Sequence, residues 1–146
     1  MLKGKQSILF DDAPYIISSG SIVGKKEGEG PLGNLFDKVE EDNLLGQDTW
    51  EEAESEMQKE ACLMALGKAK LDPHDVRYLF GGDLLRQGIA TSMGLEELHI
   101  PLFGLYGACS TSGEALALSS MSVAAGYGDY VLAVTSSHFG SAEKEF

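Results

Sequence analysis

The chain has 146 residues, one domain's length, with 23 acidic against 11 basic side chains and a formal charge of -12. A hydrophobic fraction of 43% beside 23% charged residues is that of a globular chain rather than a disordered or fibrous one. The negative balance argues against non-specific binding to nucleic-acid phosphate, which needs Lys and Arg to displace counterions, and against attraction to an anionic membrane face. No apolar run approaches the roughly 18 residues of a transmembrane helix, and Met1–Gln6 lacks the apolar core and cleavage site of a signal peptide. Cys62 and Cys109 lie far apart without metal-ligand spacing. Reduced thiols, no metal and no cofactor are therefore expected, in a soluble intracellular chain.

Charge is unevenly spread. Between Glu27 and Glu60 there are 12 acidic residues against two basic ones, Lys38 and Lys59, whereas between Ile100 and Gly128 the sole charged residue is Glu114. In chain order, Tyr15–Gly24 reads as a β-branched strand bounded by Pro14. Lys25–Asn34, with its three glycines and a proline, reads as a loop. Leu35–Leu45 carries a short amphipathic helix pattern through Leu35, Phe36, Val39 and Leu44. Thr49-Trp50-Glu51-Glu52 fits a capping box opening a helix, with Trp50, Ala53, Met57, Ala61 and Met64 at helical spacing as its buried face. Cys62 lies on or beside that face, and Leu71-Asp72-Pro73-His74 stops the helix.

Val76–Phe80 is the next strand, ending on Gly81-Gly82-Asp83. A short helix follows within Gly88–Leu98, then an apolar strand Pro101–Tyr106, a helix from about Glu114 to Ala125, and a strand Tyr130–Thr135. This alternation, with continuous apolar strands, predicts an α/β fold around a parallel or mixed sheet. The helix after Cys109 has no charged face. A helix small and apolar around its circumference is buried on most sides, so 114–125 is expected to be covered nearly everywhere, between two sheets.

Cys109 falls where a buried strand turns into the start of that helix. Gly107 and the small residues around it allow a tight elbow, and the helix N–H groups and dipole there stabilise a thiolate or hold an anion. A buried structural cysteine is the alternative. The elbow reading predicts a largely buried sulfur facing a cavity. Asp83 and His138 follow strand ends, where α/β sheets build sites; a turn aspartate and a structural histidine are their plainer readings. His74 and His99 lie beside prolines and read as structural. The run Glu51–Glu60 reads as a solvated helix face, without the ligand pattern of a calcium loop. The glycines of 24–33 lack a dinucleotide-binding arrangement.

The run Tyr106-Gly107-Ala108-Cys109-Ser110-Thr111-Ser112-Gly113, the small-residue helix after it and the strand Tyr130–Thr135 resemble the thiolase superfamily. The likeness is nearest to ketoacyl synthase III-type condensing enzymes, in which Ala-Cys-Ser/Thr opens a buried helix, and the spacing from Val76–Asp83 to Cys109 agrees. Over its whole length the chain resembles a sporulation-protein family of spore-forming bacilli with the same fold. The opening Lys3–Phe10, Gly81-Gly82-Asp83-Leu84-Leu85 and Gly107–Thr111 carry that likeness.

The resemblance implies a thiolase-like α/β fold of which residues 1–146 are the N-terminal half, with a mixed sheet and a buried central helix after the Cys109 elbow. It implies binding of dipicolinic acid, free or as its calcium chelate, for uptake into the developing spore. Asp83, Cys109, Ser110 and His138 are the implied ligand-binding residues. It further implies a homodimer, work beside the other proteins of the same sporulation transport system, and a peripheral place at the forespore inner membrane. The alternative it carries is an acyltransferase with Cys109 as nucleophile. In the condensing enzymes the histidine and the asparagine or second histidine that activate the cysteine lie in the other half, and none of His74, His99 or His138 matches them. The buried helix and apolar strands read, third, as an assembly surface.

Overall fold

The computed structural model describes residues 2–141. The chain opens on an antiparallel hairpin, β1 (Leu2–Lys3) and β2 (Ser7–Ile8). Of the strand expected over Tyr15–Gly24, only β3 (Ile22–Gly24) joins a ladder. The residues before it run along the long helix described below. The Ser18 hydroxyl donates to the Ala65 carbonyl at 2.7 Å, while Tyr15 and Ile16 stay exposed.

The expected loop contains a single helical turn, α1 (Lys25–Gly28), and a 3-10 turn at Gly33–Leu35. The helix expected over Leu35–Leu45 does not form. Its centre is instead β4 (Lys38–Glu40), parallel to β3 with Val23 opposite Val39. Two aspartates supply the reason. Asp37 accepts from the N–H and hydroxyl of Ser21 at 2.9 and 3.0 Å and pairs with Lys68 Nζ at 2.5 Å. Lys68 first, then Ser21, hold its carboxyl below the usual range. Asp42 accepts from the N–H groups of Leu44 and Gly46 at 3.0 and 2.8 Å. Such side-chain-to-backbone bonds offer the backbone an alternative to the helix ladder.

The helix α2 (Trp50–Ala69) begins where the capping box places it. The Glu52 N–H donates to Thr49 Oγ1 at 3.2 Å and the Thr49 N–H donates to Glu52 Oε2 at 3.1 Å. Thr49→Ala is expected to cost about 1 kcal/mol, seen as a lower urea midpoint at unchanged m-value. The helix ends ahead of Pro73, at Ala69, with Lys70 in the left-handed region at φ 58°. Its enclosed stripe is Glu54, Gln58, Cys62 and Leu66, joined by Ala53. The other residues of the expected face, Trp50, Met57, Ala61 and Met64, are half-buried. Cys62 is core, as expected, at 3% exposure.

The second half alternates as predicted: β5 (Tyr78–Gly82), α3 (Ile89–Leu95), β6 (Leu102–Gly104), α4 (Thr111–Ala124) and β7 (Val131–Thr135). The three strands form a parallel sheet in the order β6-β5-β7, with Leu79 between Leu102 and Leu132. The Leu79 side of the sheet meets Cys62 and Leu66 of α2 and Leu95 of α3 to form the core. On the alternate pleat Gly82 faces Thr111 of α4, so helices cover both faces.

The expectation that 114–125 is covered almost everywhere is not met by the described residues. Thr111 and Ala115 are enclosed against the sheet, while Leu116 is 46% and Met121 36% exposed. On that outer side Gln6, Ile8 and Phe10 flank Leu116, Ala117 and Met121 around a cavity of about 340 Å³. The apolar circumference is a property of the sequence; the described residues supply a sheet on one side of it. Among them no helix is long and apolar enough to cross a membrane.

Candidate functional site

The C-terminal ends of the three parallel strands share one edge, and Asp83, the Cys109 elbow and Ser136–His138 all leave from it. Asp83 follows β5 directly and is 6% exposed. Its Oδ1 accepts from the Leu85 N–H at 2.8 Å. Its Oδ2 accepts from the Thr91 N–H at 2.8 Å and the Thr91 hydroxyl at 2.6 Å. The carboxylate thereby clamps the β5–α3 connection to the first turn of α3, the turn role that the sequence left open.

The elbow is built as a sharp reversal. Leu105 still donates to Gly81 O at 2.8 Å, then Ala108 adopts φ 47°, a left-handed value unusual for alanine. A 3-10 turn over Ala108–Ser110 leads into α4. Cys109 therefore stands at the strand-to-helix turn, as expected. Its burial is not as expected: the thiol is exposed, and the outer side of α4 beside it is open. Ser110 Oγ donates to Gly107 O at 2.8 Å and lies 3.3 Å from Glu114 Oε1. A Cβ on Gly107 would fall 2.6 Å from Glu114 Oε2. Glycine thus lets this carboxylate lie against the elbow at Gly107 and Ser110. Sequence reasoning did not assign Glu114 to the site, although its isolation in the uncharged stretch 100–128 was the signal.

His138 is placed elsewhere. Its Nε2–H donates to the Asn43 carbonyl at 2.7 Å and its Nδ1 accepts from the Gly140 N–H at 3.1 Å, a tautomer fixed by those partners. Its ring lies 5.3 Å from that of Trp50. With Trp50, Met57, Lys26 and Phe139 it lines a cavity of about 1030 Å³ whose wall does not include Cys109. The strand edge therefore groups Asp83 with Cys109 and Ser110, and sets His138 in a neighbouring hollow with both nitrogens committed.

Beneath the edge lies a polar cluster that the sequence reading missed. Glu54 is fully buried and accepts from the hydroxyls of Ser136 and Ser141, each at 2.5 Å. Gln58, 1% exposed, donates to Thr91 Oγ1 at 3.0 Å and to Ser136 Oγ at 2.6 Å. The i, i+4 spacing of Glu54 and Gln58, continued by Cys62 and Leu66, was the available signal; their polarity directed them to the solvated face. Among the described residues no group of three His, Cys, Asp or Glu side chains converges as a metal site.

The stage V sporulation protein AD family matches residues 4–146. The stage V sporulation protein AD of Bacillus subtilis is 40% identical over 145 residues, covering 99% of this chain and 43% of its own length. The chain thus spans less than half of that relative. Among solved structures, 3-oxoacyl-(acyl carrier protein) synthase III of Xanthomonas oryzae superposes with a TM-score of 0.62 at 18% identity, over 88% of this chain and 44% of that one. A priming beta-ketosynthase of a polyketide biosynthetic pathway gives 0.59 at 18% identity, over 93% and 45%. At that identity the likeness carries the fold, which is thiolase-like, and not the chemistry.

Proposed function

This chain belongs to the stage V sporulation protein AD family, and we propose that it forms part of a non-catalytic site for dipicolinic acid, serving uptake of that compound into the developing spore. The observation that carries the reading is the strand edge, where Asp83 follows β5 and Cys109 and Ser110 form the turn between the adjacent β6 and the start of α4. His138, the histidine of the strand edge, has both nitrogens engaged by Asn43 and Gly140. At the elbow the Glu114 carboxylate lies against Gly107 and Ser110. Contact with the ligand falls to Cys109, Ser110 and the first N–H groups of α4, with Asp83 shaping the floor and His138 the adjoining hollow. Work beside the other proteins of the transport system, homodimer formation and a peripheral place at the forespore inner membrane belong to the same proposal.

Calorimetric titration of the full-length protein with dipicolinate, with and without calcium, tests this reading. Binding is expected, and Cys109→Ala and Ser110→Ala should weaken it about tenfold each if each removes one contact worth roughly 1.4 kcal/mol. Glu114→Gln should strengthen binding of the bare dianion by removing a like charge from the elbow. Undetectable binding in both conditions would sink the proposal. An acyl adduct on Cys109 after incubation with acyl thioesters, read by mass spectrometry, would favour the acyltransferase alternative.

A further inference from the structure

We propose that Gln58 is a positioning residue of the strand-edge site, fixing Asp83 through Thr91 and the β7 end through Ser136; as a statement about ligand binding this rests on the function proposed above. A hydroxyl has one hydrogen to give. The Thr91 hydroxyl spends it on Asp83 Oδ2 at 2.6 Å, and the Ser136 hydroxyl spends it on Glu54 Oε1 at 2.5 Å. Both oxygens must then be approached by donors, and Gln58 Nε2 meets both, at 3.0 and 2.6 Å. One amide group therefore sets the orientation of two hydroxyls, each of which ends on a buried carboxylate. Chains of donors aligned in one direction strengthen one another in a low-dielectric interior.

Packing alone does not call for glutamine at this position. Gln58 Oε1 is buried with no hydrogen-bond partner, an arrangement that methionine, of nearly the same length, would avoid. The amide nitrogen is what methionine lacks, and the nitrogen is the part that reaches both strand ends. Those two ends are the connections leaving β5 and β7, the paired strands on which α4 packs. Gln58 thus joins α2, which bears no candidate ligand residue, to the geometry of the edge that does.

The test uses the full-length protein with Gln58→Met, Gln58→Glu and Thr91→Val. Met and Val remove a link without changing volume much. Glu keeps the shape but replaces the donor with an acceptor, drawing both hydroxyls away from Asp83 and Glu54. Hydrogen exchange of the Leu85 and Thr91 amides, which donate to Asp83, is expected to speed up about tenfold or more in all three, with α4 amides unchanged. Dipicolinate affinity should fall about tenfold, the scale of one lost hydrogen bond to a charged group. In an Asp83→Asn background, Gln58→Met should add little further loss of affinity, because its effect passes through Asp83; full additivity would mean a merely structural role. Wild-type exchange at Leu85 and Thr91 in every folded variant would overturn the proposal. Should the wild-type protein fail to bind dipicolinate while those amides still respond, the proposed function falls and the positioning role stands. If Gln58→Met does not fold, Gln58→Glu carries the same readout.

Discussion

Gly82→Ala is expected to lower the melting temperature by roughly 10 °C, on the scale of about 2–3 kcal/mol for an overpacked interior. A Cβ at this position would fall 2.2 Å from the Leu105 carbonyl oxygen and 2.9 Å from Thr111 Cγ2. The first obstacle is backbone, so the new methyl cannot be relieved by a rotamer change. Either β6 must move away from β5 or α4 must slide along the sheet, and both displace the elbow. Gly67→Ala supplies the contrast. It lies in the last turns of α2, where a Cβ would have nothing within 4 Å, and should gain about 0.5–1 kcal/mol from helix propensity alone. Two identical substitutions with opposite signs, followed by thermal unfolding, check that the sheet edge and not glycine content sets the result. Equal small effects at both positions would contradict the close contact at Gly82.

The elements most legible in the sequence were those with a local cause. Thr49 and Glu52 mark the start of α2 because a capping box needs those residue types at that spacing, and the α2 start falls there. The alternation from Tyr78 to Thr135 was legible because apolar strands and a small-residue helix admit few arrangements. The misread segments were decided by contacts distant in sequence. Leu35–Leu45 has a helical apolar pattern, yet Asp37 is claimed by Ser21 and Lys68 and the chain pairs with β3. Glu54 and Gln58 read as solvated because their partners, Ser136, Ser141 and Thr91, lie 33 to 87 positions away. Of the candidate residues, the sequence placed Asp83 after a strand end and Cys109 and Ser110 at a strand-to-helix turn, but did not show the orientation of His138. That orientation depends on the carbonyl of Asn43, a backbone group no residue pattern announces.

The two cysteines should part company in reactivity and in what they do to stability at high pH. Cys62 is 3% exposed, and burial pushes its thiol from 9.0 up to about 12. At pH 8 about one molecule in ten thousand then carries the Cys62 thiolate, the form that attacks an alkylating reagent. Cys109 is exposed on the elbow. Iodoacetamide at pH 8 is expected to place one label on Cys109 in the native protein and a second on Cys62 only after denaturant is added, as peptide mass mapping would show. Simultaneous labelling would mean that α2 does not seal the core. The same burial has a definite sign in stability. Between pH 9 and 12 the unfolded chain loses the Cys62 proton while the folded chain keeps it, so the unfolded state binds fewer protons and stability falls as pH rises. The slope from this one group is on the order of 1.4 kcal/mol per pH unit across that window, and below pH 9 the contribution is complete and flat. Cys62→Ala, less stable throughout because of the cavity it leaves, should lose that component of the alkaline slope. Parallel urea titrations of the two proteins from pH 8 to 11 measure the difference. Identical slopes would show that the Cys62 proton is not held by burial.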